Sequence, residues 1–270
     1  MLRYSRLLAL PFILALLYLL YLLFVLERDE YSIWLIPVVV ILTVIFIFAP
    51  QIEWWASKRF PIRISPFLQK LFLQYSDHYR NMDEEERERF DKRLWLAMRH
   101  KDWIGMKTGP IGEDIKAIVM APWVLMTFHQ DDYLPSHYER IVLYKHPFPS
   151  PRYTQWHSSE THHEDGVLIF SIEQLLPSFT QPYKFYNIAL HEWAGVYLQQ
   201  QNSDQLPSWN WEELNLLSPY GKEEIEAWLG LPVEDLRQVA IHHFFTFPSK
   251  MRQYFPDRYE DFRTFFGIKS

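Results

Sequence analysis

The chain has 270 residues, with 33 acidic against 27 basic side chains, a net charge of −6 and no cysteine. This excludes a disulfide framework, thiol catalysis and cysteine-ligated zinc or iron–sulfur sites. The acidic balance, with no long Lys/Arg run, also argues against nucleic acid as a partner. The 49% hydrophobic content is uneven, with 38 of the first 50 residues in that set. An apolar N-terminal segment therefore precedes a body of ordinary composition, large enough for its own core.

Residues 7–26 and 31–49 carry no charge, and each is long enough to cross about 30 Å of hydrocarbon. Only Glu27-Arg28-Asp29-Glu30 separates them, so residues 1–60 read as a two-helix transmembrane hairpin. No small-residue cleavage site follows the first apolar run, which argues against a removable signal peptide. Arg3 and Arg6 precede the first span, while Lys58, Arg59, Arg63 and Lys70 follow the second. By the positive-inside rule both ends face the cytoplasm, which places the hairpin in the inner membrane and the body on its cytoplasmic side.

In the body, residues 65–79 have helical spacing, and Asp83 followed by Glu86 is a helix-start signature. Glu85–Arg89 and Glu88–Lys92 are acid-to-base pairs at spacing four on a solvated face. Residues 112–129 read as a helix that Pro122 kinks or ends early. Two β-rich runs follow, Ile141–Tyr144 and Val167–Ser171, separated by a polar stretch containing His157, His162 and His163 that reads as a solvated hairpin. Helical spacing returns over 185–200, residues 209–217 look like loop, 223–229 form a short helix, and Pro232 opens a helix over 233–247. The body is thus one α+β domain, helix-rich at both ends with a small sheet between.

The chemistry-bearing stretch is His191-Glu192-Trp193-Ala194-Gly195. In a zinc peptidase helix, His-Glu-x-x-His puts two imidazoles on one face, and the Glu acts as base toward metal-bound water. Here the second histidine position holds Gly195, and a His-Glu pair alone is no evidence of a site. His242 and His243 lie in the last helical stretch, His242 two turns beyond Asp235 and so about 10 Å away.

In context the chain resembles the Mlc titration factor A family of glucose-regulated zinc metallopeptidases. The resemblance rests on Val167–Glu173, on Ala189-Leu-His-Glu-Trp-Ala-Gly-Val-Tyr-Leu198, on Pro232-Val-Glu-Asp-Leu followed by Phe244-Phe-Thr-Phe-Pro248, and on Glu86-Arg87-x-x-Phe90 with Trp103-x-Gly105 through Pro110-Ile111, which look like N-terminal helices of the family. It covers residues 66–266 and implies a helix-rich zincin-like domain with a small mixed sheet. It further implies zinc as cofactor, His191 as first ligand and Glu192 as catalytic base. Gly195 stands at the second ligand position and Leu198 where the family has Asp. The third ligand falls on Glu234 counting from Pro232, or on Asp235 counting back from Phe244. As residues, both acids equally suit the first turn of a helix, where carboxylates favour the dipole. The missing imidazole counts against zinc, since catalytic zinc takes three protein ligands. The expectation is a membrane-anchored, cytoplasmic relative with a degraded zinc site, lost or weak activity, and a regulatory role binding a peptide or protein in its cleft. The floor of that cleft is expected at Val167–Ser171, pairing its edge with the peptide. The alternative is an active, aminopeptidase-like zinc metallopeptidase that keeps Glu192 as general base and draws a substitute ligand from elsewhere.

Overall fold

The long apolar runs at the N-terminus form helices although Pro11 lies inside the first and Pro37 in the first turn of the second, where a missing N–H costs little. The computed structural model describes residues 4–201 and 205–268, so Arg3 lies outside the described residues. By its internal contacts the chain forms two units, residues 1–62 and 63–270. In the first, α1 (Tyr4–Phe24) is followed by a 3-10 segment (Asp29–Trp34), α2 (Leu35–Ile47) and α3 (Ala49–Arg59). Two stretches, Tyr4–Phe24 and Asp29–Ile47, are long and apolar enough to cross a membrane, with mean hydropathy 2.6 and 2.3. Only 6% of the most apolar 18 residues of either stretch is buried, the opposite of a core helix in a water-soluble domain. The backbone N–H and hydroxyl of Ser5 both donate to Glu53 Oε1, at 2.9 and 2.8 Å, so the start of α1 meets α3.

The second unit opens with α4 (Pro66–Tyr75), α5 (Asp77–Asn81) and α6 (Glu84–Arg99). The expected single helix over 65–79 is split, because Ser65 caps α4 and Ser76 caps α5, each accepting a backbone N–H three residues on. Asp83 and Glu86 form the full capping box at the start of α6. The fully buried Asp91 ties the three helices together. It accepts from Arg63 Nε and Gln69 Nε2 at 2.8 Å each, and from the Tyr79 hydroxyl at 2.9 Å.

The sheet contains β1 (Asp102–Met106), β2 (Arg140–Tyr144), β3 (Ser159–His162) and β4 (Val167–Ser171), in the spatial order β1-β2-β4-β3. β1 and β4 run parallel to β2, while β3 is antiparallel to β4. Residues 102–106 are therefore strand, where the family resemblance suggested helix. The polar 157–162 stretch is an edge strand and its approach, with His157, Ser158, Ser159 and Glu160 buried rather than solvated. α7 (Glu113–Met126) continues past Pro122 for one turn and ends at Met126, short of the expected 129, with Val119, Trp123 and Val124 buried.

After β4 come α8 (Ile172–Thr180), α9 (Ile188–Gln200), α10 (Trp211–Leu217), α11 (Lys222–Leu229), α12 (Leu236–Thr246), α13 (Pro248–Tyr254) and α14 (Pro256–Phe265). The stretch read as loop over 209–217 contains α10, opened by a capping box of Asn210 with Glu213. α9 is the centre of the unit. Its Trp193 is fully buried against Trp123, ring centroids 5.1 Å apart, and donates its indole N–H to the Val119 carbonyl at 2.7 Å. The fold class expected from the sequence, a helix-rich α+β body with a small mixed sheet behind two apolar helices, is the one observed.

Candidate functional site

α9 starts at Ile188 rather than at 185, because Asn187 caps it by accepting from Leu190 N–H at 3.0 Å. The cap fixes the helix phase and so sets where His191 and Glu192 point. Glu192 faces β3. Residues two apart on a strand share a face, and Ser159 and Thr161 both use theirs to reach this carboxylate. The Ser159 hydroxyl donates to Oε1 at 2.7 Å and the Thr161 hydroxyl to Oε2 at 2.6 Å. Burial pushes the Glu192 carboxyl above the usual carboxylate range, and the Thr161 and Ser159 hydroxyls oppose that rise.

The strand is in turn anchored through Gly230, the left-handed cap of α11 at φ 79°. A Cβ there would lie 2.3 Å from the Trp156 carbonyl and 2.6 Å from His157 Cα, so only glycine lets this chain lie against the helix end. Ser158 completes the clamp, its N–H donating to Leu229 O at 2.7 Å and its hydroxyl to Trp228 O at 2.6 Å. Glu160, on the opposite face of β3 from Ser159, lies between His157 Nε2 at 3.2 Å and His162 Nε2 at 3.0 Å.

His191 is buried, and its Nδ1 shares a 2.8 Å hydrogen bond with the Tyr186 hydroxyl, which leaves Nε2 as the free nitrogen. Burial depresses its pKa to about 4, with Asp235 acting in the opposite sense. Tyr186 stacks on His242, centroids 4.0 Å apart, and His242 Nε2 accepts the Asn187 backbone N–H at 2.9 Å. That bond leaves His242 Nδ1 to face His243 Nδ1 at 3.2 Å. These two histidines therefore belong to the packing behind α9 and not to the site.

A cavity of about 140 Å³ is lined by Ser159, Glu160, Thr161, His191, Glu192 and Gln238, among others. Gly195, His163 and Glu234 also line it. The expected helix over 233–247 begins only at Leu236. Asp235 is extended, at φ −125° and ψ 110°, and serves as the cap by accepting from Arg237 N–H at 2.9 Å. Its carboxylate is also held by the Arg237 guanidinium, with Nη2 to Oδ2 at 2.8 Å and Nε to Oδ1 at 3.0 Å. Glu234 is exposed and accepts from the Tyr153 hydroxyl at 3.3 Å.

The chemistry of this donor set does not fit a catalytic zinc. Three protein ligands are needed, and His191 Nε2 is the one donor placed as the family motif requires. Gly195 supplies none, Gln238 projects a neutral amide beside it, and the Asp235 carboxylate is held by the Arg237 guanidinium. Among the described residues no three His, Asp or Glu side chains gather in a group that could hold a metal ion. What the arrangement can do is hold a polar ligand between a fixed carboxylate, an imidazole and an amide.

The sequence profile of the glucose-regulated metallopeptidase M90 family matches residues 52–203. The chain belongs to this family. The match covers more than half of the chain and includes α9 with His191 and Glu192, and it ends before α12. Among curated proteins, none matches. Ser159, Thr161, Tyr186 and Gln238 escaped the sequence reading. The one signal for the first two was a pair of hydroxyl residues at strand spacing. Tyr186 and Gln238 gave no signal, because each meets the site through a different element.

Proposed function

We propose that this M90-family chain is anchored by its N-terminal hairpin with the body in the cytoplasm, and that its cleft binds a peptide or protein segment without hydrolysing it. The observation that carries the reading is that His191 and Glu192 line the cavity with Gly195 at the second ligand position and, among the described residues, no group of three His, Asp or Glu side chains that could hold a metal ion. Glu192 then acts as an acceptor fixed by Ser159 and Thr161, and His191 as a neutral hydrogen-bonding group. β4 cannot supply the pairing edge, since β2 and β3 flank it on both sides. Of the two edge strands, β1 and β3, it is β3 that borders the cavity, so an extended segment would add to β3 by backbone hydrogen bonds. The Ser5–Glu53 contact supports a hairpin whose two outer ends lie on one face of the bilayer, and the positive charges of Arg6, Lys58 and Arg59 favour the cytoplasm for that face.

The test is elemental analysis of the detergent-solubilised full chain together with Glu192→Gln. The expected result is less than one tightly held zinc per chain, and a Glu192→Gln variant that keeps the wild-type phenotype. One equivalent of zinc that His191→Ala removes, with Glu192→Gln as damaging as a deletion, would establish the working peptidase instead. A phosphatase fused to the C-terminus and active in the periplasm would overturn the topology.

A further inference from the structure

We infer that Gln238 occupies the place of the missing second imidazole, so that Gly195 and Gln238 form one unit that turns a metal-ligand position into an amide-lined binding floor. The inference deepens the peptide-binding reading and rests on it for the class of ligand.

Gly195 lies in the interior of α9, where glycine is unfavourable, and it has no left-handed φ that would require it. Close helix packing is the usual reason for such a glycine, but at this position the near neighbour is a side chain and not the backbone of the facing helix. A Cβ built at position 195 would find its three nearest atoms all in one side chain: Gln238 Nε2 at 2.3 Å, Cδ at 3.4 Å and Cγ at 4.0 Å. No backbone atom of α12 comes as near. The space that a residue-195 side chain would fill is thus taken by a carboxamide projecting from the first turn of α12. Asp235, the cap of that helix, sets its start and so aims Gln238 at α9. Both Gly195 and Gln238 line the cavity with Glu192. A carboxamide offers two N–H donors and a carbonyl acceptor. That set complements a peptide amide and is a poor ligand for zinc.

The two residues must therefore behave as a pair in the full chain. Gly195→His alone sets an imidazole against the Gln238 amide, which must turn away from α9 to admit it, and Gln238→Ala alone removes the amide from the cavity wall. Each is expected to lower the thermal midpoint. Adding Gln238→Ala to Gly195→His should raise the midpoint again, a reversal of sign that independent sites never give. Zinc affinity, read by competition with a chromophoric chelator, should be unchanged by Gly195→His. In the double variant it should tighten about tenfold or more, on the scale seen for ligand-shell changes, because the His191 pair at spacing four is then complete. Additive midpoint changes would overturn the inference. So would a Gly195→His variant that binds zinc as tightly as the double variant, or a folded double variant with no gain in zinc. A wild-type chain holding one zinc through His191 would instead overturn the metal-free reading, and the midpoint cycle would still decide the role of Gln238.

Discussion

α9 and the start of α12 face one cavity, yet they are held in different ways. α9 is locked from behind: Trp193 is fully buried and bonded to Val119, Asn187 caps the helix, and β3 pins Glu192. The start of α12 is held mainly by its own turn, with Asp235 bonded to Arg237 two residues on and Glu234 exposed. The residues that match the family motif, His191 and Glu192, sit on the locked wall. The departures, Gly195 with its Gln238 partner and the uncertain acid, lie where the two walls meet and on the looser one. A side chain whose position is fixed by the core keeps its aim whether or not a metal is present. An acid in a self-contained turn has no such constraint and is free to take a structural partner.

The largest expected effect lies behind the locked wall. Trp193→Ala removes a fully buried indole and its hydrogen bond to Val119, and should cost about 3–5 kcal/mol in chemical denaturation. A loss under 1 kcal/mol would mean that α9 is not held by the core. Next comes acid. Burial holds His191 at about 4 and His243 at about 3, with His242 and His78 also lowered, against roughly 6.5 in the unfolded chain. Folded-state values below the unfolded ones mean that this stability is complete above pH ~6.5 and drains away as the pH falls toward 4. His191 alone accounts for on the order of 3 kcal/mol across that window. Glu192, whose carboxyl is raised, titrates in the opposite sense and offsets part of it. Stability measured from pH 7 to 4 should fall steeply in wild type and less steeply in His191→Gln. Equal slopes would break the assignment.

The caps of the two helices give a direct comparison of the walls. Asn187→Ala should cost about 1 kcal/mol through the lost cap, and it should shift the His191 resonances in NMR because α9 is re-aimed. Asp235→Ala should cost a similar amount through its own cap while leaving Glu192 undisturbed. The smallest effect belongs to Glu234→Gln, at an exposed residue with one long hydrogen bond, which should stay within about 0.5 kcal/mol.

Much of the frame was legible in the chain. The apolar runs announced α1 and α2, and Asp83 with Glu86 announced the start of α6, because both signals are local. β1 was missed because Trp103 and Gly105 carry no alternating pattern, its exposed and half-buried residues following no period of two. α10 was missed because its seven residues are too few to show a helical period, although Asn210 and Glu213 stand at capping-box spacing. The 157–162 segment was misread for a physical reason: its polarity suggested solvent, whereas Ser159 and Thr161 are turned inward onto Glu192 and Glu160 is held between two histidines.

The sequence by itself determined the apolar hairpin, the helix-rich body and the broken His-Glu motif, since composition, spacing and a missing side chain are all written along one dimension. It could also show that an imidazole is absent at position 195. Only the tertiary structure decided what stands there instead, because the carboxamide of Gln238 comes from a helix 43 residues further on. The same holds for the edge strand that clamps Glu192. Hydrogen bonds and close contacts depend on distance in space, and that distance exists only once α9, β3 and α12 have packed together.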